Sequence, residues 1–180
     1  MRILKTECVA LIIDFQERLV PHMMNKELML EKTKILLMGL QILEVPIIIS
    51  EQYTKGLGLT VDQVKELFKE FAGMEKISFS CFDDKSISDK IKSIGKKNVI
   101  IAGIEAHVCV MQTAIDLIEN GFLPVIVEDC VSSRNINDKN LAMQRMMQAG
   151  ALITTTESLL FELTRFAGND QFKSISKLVK

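Results

Sequence analysis

A carboxylate, an imidazole and a thiol stand at alternate positions in "GIEAHVCV", residues 103–110, as Glu105, His107 and Cys109. The stretch follows "NVIIA", an apolar run typical of a buried strand, and leads into "VMQTAIDLIEN", which has helical spacing. A cysteine in the first turn of a helix meets unpaired backbone N–H groups and the positive end of the helix dipole. Both favour the thiolate, so a lowered thiol pKa is expected at Cys109. The same N–H groups can bind a developing oxyanion. This arrangement suits nucleophilic attack, which also needs a base for the thiol and an acid for the leaving group. His107 lies only two residues from Cys109 on a tight turn, so its ring is expected to point elsewhere and to act as a neighbour.

The elements that must position these groups alternate along the chain. Strands are expected at 8–14, 45–50, 75–80, 98–103, 122–129 and 151–155, from short apolar, β-branched runs. Helices are expected at 25–43, 60–72, 86–94, 108–120, 137–150, 156–167 and 169–180, with Ser86 as an N-cap and glycines as stops. Strict alternation means parallel pairing through right-handed crossovers. The expected fold is α/β: one Rossmann-like, doubly wound, three-layer αβα domain over 1–180 with a six-stranded parallel sheet. In such sheets, sites collect beyond the carboxyl ends of the strands. That rule makes suspects of Asp14, Glu51, Gln52, Tyr53, Lys76, Glu105, His107, Cys109, Asp129 and Cys130.

Composition narrows the classes. The 180 residues are 48% hydrophobic and 25% charged, with net charge −1, so nothing electrostatic points to nucleic acid or a membrane surface. The N-terminus runs straight into a strand without a signal peptide, and no window reaches a spanning length, so a cytoplasmic protein is expected. Cys8, Cys81, Cys109 and Cys130 are widely spaced with no C-x-x-C, which argues against structural zinc and, without export, against disulfides. "GLGLTV" (56–61) lacks the third glycine of a dinucleotide turn. No phosphate-binding loop, no G-x-S-x-G elbow and no arginine six residues after a cysteine occurs. His22 and His107 flank no acidic pair. No cofactor and no metal is expected.

The pieces "ALIIDFQ", "EKISFSCF", "GIEAHVCV" and "EDCVSSR" appear in order along the chain. With "EQYTKGLGLTV" and "RMMQAGALITTTESLLFEL", they resemble the isochorismatase-like cysteine hydrolase superfamily, in particular the isochorismatase domain-containing proteins. The resemblance implies an Asp14–Lys76–Cys109 triad. In it Cys109 attacks a carbonyl-type carbon, Asp14 moves the proton, and Lys76 holds the charged forms. It also implies a cis peptide between Ile104 and Glu105, with the N–H groups of Glu105 and Cys109 facing the substrate oxygen. Phe15, Gln16, Gln52, Tyr53, Phe82 and His107 are expected to line the substrate pocket. The expected function is hydrolysis of a small amide, ureide or ester. "SEQYTKGLG" lacks the histidines of the nicotinamide-hydrolysing branch, and Cys109 argues against vinyl-ether hydrolysis. The alternatives are a non-catalytic scaffold, an isochorismatase-type ether hydrolase, or a redox module pairing Cys109 with Cys81 or Cys130. A homo-oligomer, dimer or larger, is expected from the family and from a surplus of soft apolar residues: Met23, Met24, Met143, Met146, Met147 and Phe166.

Overall fold

The computed structural model describes residues 2–180. Six strands form one sheet: β1 (Cys8–Ile13), β2 (Ile47–Gln52), β3 (Gly73–Lys76), β4 (Asn98–Ile104), β5 (Leu123–Ser132) and β6 (Leu152–Thr154). Their order is β3-β2-β1-β4-β5-β6, and every pairing is parallel. The helices are α1 (Lys26–Ile42), α2 (Thr54–Leu57), α3 (Asp62–Lys65), α4 (Lys85–Ile94), α5 (Met111–Glu119), α6 (Ile136–Ala149), α7 (Thr156–Thr164) and α8 (Asp170–Leu178). The three-layer parallel architecture is the one expected.

Every residue of β1 is buried, because helices cover both faces. Alternate residues serve alternate layers. Ala10 and Ile12 join Leu36, Leu40, Leu160 and Ile175, so α1, α7 and α8 cover one face. Val9, Leu11 and Ile13 join Ile87, Ile91, Leu117 and Met146, so α4, α5 and α6 cover the other. After β1 the chain builds outward through β2 and β3, then returns to β4 on the opposite side of β1. The switch point of the topology therefore lies between β1 and β4, beyond Ile13 and Ile104.

Several elements depart from expectation. The third strand ends at Lys76 and does not run through 80, because the Ser78 and Phe79 carbonyls curl back onto the Lys76 ammonium. The helix expected over 60–72 is only Asp62–Lys65. Its later residues form tight turns, and Gln41 of α1 donates to the Leu67 carbonyl. Leu67, Phe68 and Phe71 still pack on the α1 layer, so an apolar pattern was satisfied without a helix. Asp84, not Ser86, caps α4, accepting from the Ser86 and Ile87 N–H groups at 2.9 and 3.1 Å. β5 runs on through Asp129 and Cys130 to Ser132. Of the soft apolar residues, Met23 and Met146 are core, whereas Met24, Met147 and Phe166 are exposed.

Candidate active site

Asp14 follows the last residue of β1 in the left-handed region, with φ 56°. Short polar side chains tolerate that conformation better than β-branched ones. The turn points the carboxylate across the end of the sheet and sends Phe15 into the α1 layer, fully buried. Beside β1, Ile13 is in register with Ser50 on β2 and with Gly103 on β4. A Cβ at Gly103 would lie 2.5 Å from the Ile13 carbonyl oxygen, so only glycine lets β4 approach β1 here.

The Lys76 Nζ donates to Asp14 Oδ2 at 2.8 Å and to Gln52 Oε1 at 2.6 Å. It also reaches the Ser78 and Phe79 carbonyls at 3.2 and 3.1 Å. Ser50 Oγ donates to the other Asp14 oxygen, Oδ1, at 2.7 Å. Both members of the ion pair have no exposed side-chain surface, so they lie beneath the rim rather than on it. Burial works against the Lys76 charge, but the Asp14 carboxylate beside it prevails and the ammonium pKa is raised.

Cys109 sits within a π-turn, Ala106–Val110, that opens α5, and it is 5% exposed. Glu105 accepts at its carbonyl from the Val108 and Val110 N–H groups. The Glu105 carboxylate is held by the Arg134 Nε at 3.0 Å. The Ile104–Glu105 peptide is cis. The thiol departs from the expected direction: burial raises its pKa, and the charge of Asp14 raises it further. Lys76 opposes these effects without overcoming them. Desolvation exceeds what a helix start can offer, so the resting sulfur keeps its proton.

The expected pocket residues separate. Gln52 lies under the ion pair, its Nε2 donating to the Ile77 carbonyl at 2.6 Å while its Oε1 accepts from Lys76. Gln16, fully buried, pins β2 and the following loop. Its Nε2 donates to the Gln52 and Gly58 carbonyls, and its Oε1 accepts from the Gln52 N–H. Gln16 and Phe15 are both fully buried. Tyr53 is half-exposed. Phe82 is packed edge-to-face on Phe122 at 5.7 Å, with Lys92 over its ring. His107 pairs Nδ1 with Ser133 Oγ at 2.9 Å and faces a cleft lined by Asp138, Leu141 and Arg145. Cys130 belongs to the α1 layer and bonds Thr156, across the sheet from Cys109. Ser50 and Cys81 join this network beyond the residues expected from the sequence, and a hydroxyl closing the apolar run "VPIIIS" is the kind of signal that marks Asp14. Among the described residues, no group of three His, Cys, Asp or Glu is arranged to hold a metal ion.

A doubly wound parallel α/β domain with a buried aspartate–lysine pair and a cysteine at the switch point defines a Rossmann-like class of hydrolase folds. Within it, the chain belongs to the isochorismatase family: the isochorismatase domain model matches residues 8–158. Isochorismatase family protein 1B of Dictyostelium discoideum is 40% identical over 94% of this chain and 84% of its own length. Isochorismatase domain-containing protein 2 of Danio rerio is 39% identical over 95% of this chain and 86% of its own. The MAR1 ribonuclease structure from Caenorhabditis elegans superposes with a TM-score of 0.92 at 37% identity, covering 99% of this chain and 92% of that one. The YcaC gene product of Escherichia coli, described as an octameric hydrolase of unknown specificity, has a TM-score of 0.93 at 26% identity, over 99% and 90%. Among the described residues no helix is long and apolar enough to cross a membrane.

Proposed function

We propose that the chain is a cysteine hydrolase of a small amide, ureide or ester, with Asp14, Lys76 and Cys109 as its catalytic residues. The observation that carries this reading is the buried Asp14–Lys76 pair, at 2.8 Å, close enough to the nearly buried Cys109 thiol for the carboxylate's charge to act on it. Cys109 Sγ attacks the carbonyl carbon while its proton passes to Asp14. The C–S bond forms, and the N–H groups of Glu105 and Cys109 bind the oxyanion. Collapse breaks the C–N or C–O bond, and Asp14 returns the proton to the leaving group. Water, deprotonated by Asp14, then cleaves the thioester and frees the thiol. Lys76 supplies the counter-charge to the carboxylate and keeps it aimed. Its three protons are already divided among four acceptors, so it serves the aspartate and not the substrate.

The exposed Met24, Leu28, Leu141, Met147 and Phe166 support assembly into a homo-oligomer, as does the octamer described for the E. coli relative. Four unpaired thiols suit a reducing compartment such as the cytoplasm, although one relative is a secreted effector of Phytophthora sojae. The test of function is a turnover screen over small amides, ureides and esters with a Cys109→Ala control. A short RNA is added as one arm, because the C. elegans relative is named a ribonuclease. Turnover that survives Cys109→Ala would sink the reading.

A further inference from the structure

A second thiol is buried at the same centre and the mechanism leaves it idle. Cys81 is fully buried, and its Sγ donates to Ser50 Oγ at 3.5 Å. Ser50 Oγ in turn donates to Asp14 Oδ1 at 2.7 Å. The two bonds run in one direction, S–H to O–H to carboxylate, and such chains polarise one another. Cys81 is itself anchored, its backbone N–H donating to Thr113 Oγ1 of α5 at 2.9 Å. The network therefore ties the loop after β3 to the helix that carries Cys109 forward, and places a fixed donor on the aspartate oxygen that Lys76 does not touch.

We propose that Ser50 is a positioning residue for Asp14, and that the Cys81 thiol holds the Ser50 hydroxyl in its donating orientation. The inference rests on Asp14 being the base that takes the Cys109 proton. With Oδ1 bonded to Ser50 and Oδ2 to Lys76, the carboxylate cannot rotate without losing a bond. Burial pushes the Cys81 thiol up to about 12, with Asp14 adding to the shift, so it remains a donor at any working pH. With no exposed surface it does not compete as a nucleophile. This gives Cys81 a structural reason to be a thiol without invoking a disulfide or an oxidant.

The experiment is single-turnover acylation of the full chain by p-nitrophenyl acetate across pH. The thiol displaces p-nitrophenolate and a Cys109 thioester remains. Loss of the Ser50 donor should move the acid limb of the acylation profile upward by about one pH unit in Ser50→Ala. Ser50→Thr, which keeps the hydroxyl, should return the limb to the parent position. Cys81→Ala should give a smaller upward move, and Cys81→Ser none. An unmoved limb in Ser50→Ala, or a moved limb that Ser50→Thr does not restore, overturns the inference, as does a Cys81→Ala limb at the parent position. Asp14→Asn separates the two levels. If it acylates with the parent profile, the base reading itself fails. If it abolishes acylation while Ser50→Ala keeps the parent limb, only the Ser50 inference fails.

Discussion

Lys76 Nζ donates to Asp14 Oδ2 at 2.8 Å with no side-chain surface of either residue exposed. A buried ion pair adds little over a well-packed apolar pair, but removing one partner strands the other charge. Lys76→Ala should therefore destabilise the fold by about 3–5 kcal/mol, and pairing it with Asp14→Asn should recover much of that loss. Urea unfolding of the two single variants and the double variant measures this. An additive double variant would show that the pair is not coupled.

Cys109 should be the thiol that an acyl probe labels. Cys8, Cys81 and Cys130 have no exposed surface, whereas Cys109 has 5%. One equivalent of label on Cys109, located by peptide mapping, is expected from the native protein. Label spread over several cysteines before unfolding would contradict the site.

His107→Ala should leave the pH profile of acylation in place, because the ring is bonded to Ser133 and opens onto the α6 side. A rate within about threefold of the parent is expected, since no proton-transfer contribution of about 10²–10⁴ is being removed. A larger loss, with a displaced limb, would return His107 to the candidate bases.

Alkali should destabilise the protein well before lysines titrate. Burial raises the thiols of Cys8 to about 11 and of Cys81 and Cys130 to about 12, against about 8.5 in an unfolded chain. Below the unfolded value both states hold these protons and the full stability is present. Above it the unfolded chain releases them while the folded one does not, so stability falls as pH rises toward the folded values. Each thiol should contribute a slope of about 1.4 kcal/mol per pH unit in that window. Urea unfolding under reductant from pH 8 to 10.5 should show the fall, and Cys8→Ala should lessen the slope by one thiol's share. A flat profile would contradict these shifts.

Gly103→Ala should cost about 1–3 kcal/mol or more and should also slow acylation. The added Cβ meets Ile13 backbone atoms at 2.5 and 2.9 Å, and φ at 103 is +153°. Relief requires β4 to part from β1 at the point from which Asp14 and the Cys109 turn depart. Parent-like thermal stability and acylation would show that the two strands can separate freely.

The layers were readable in the sequence because they follow from local patterns. Short β-branched runs such as "CVALIID" alternate with segments of helical spacing, and parallel crossovers then leave few topologies. The same patterns put Asp14, Lys76 and Cys109 at strand ends and so made them suspects. Spacing failed at 60–72, where Gln41 captures the Leu67 carbonyl and turns pack the apolar residues against the α1 layer without a helix. It also failed at the end of β3, where the lysine charge gathers the next carbonyls around itself. Only the tertiary structure decided what surrounds each polar group. Asp14 meets Lys76 across 62 positions of sequence and Ser50 across 36. That meeting draws Gln52 into the support of Lys76, and gives Ser50 and Cys81 a place in the network. It reverses the shift at Cys109, because desolvation and a neighbouring carboxylate act through space, while a helix start is all that the local sequence can show.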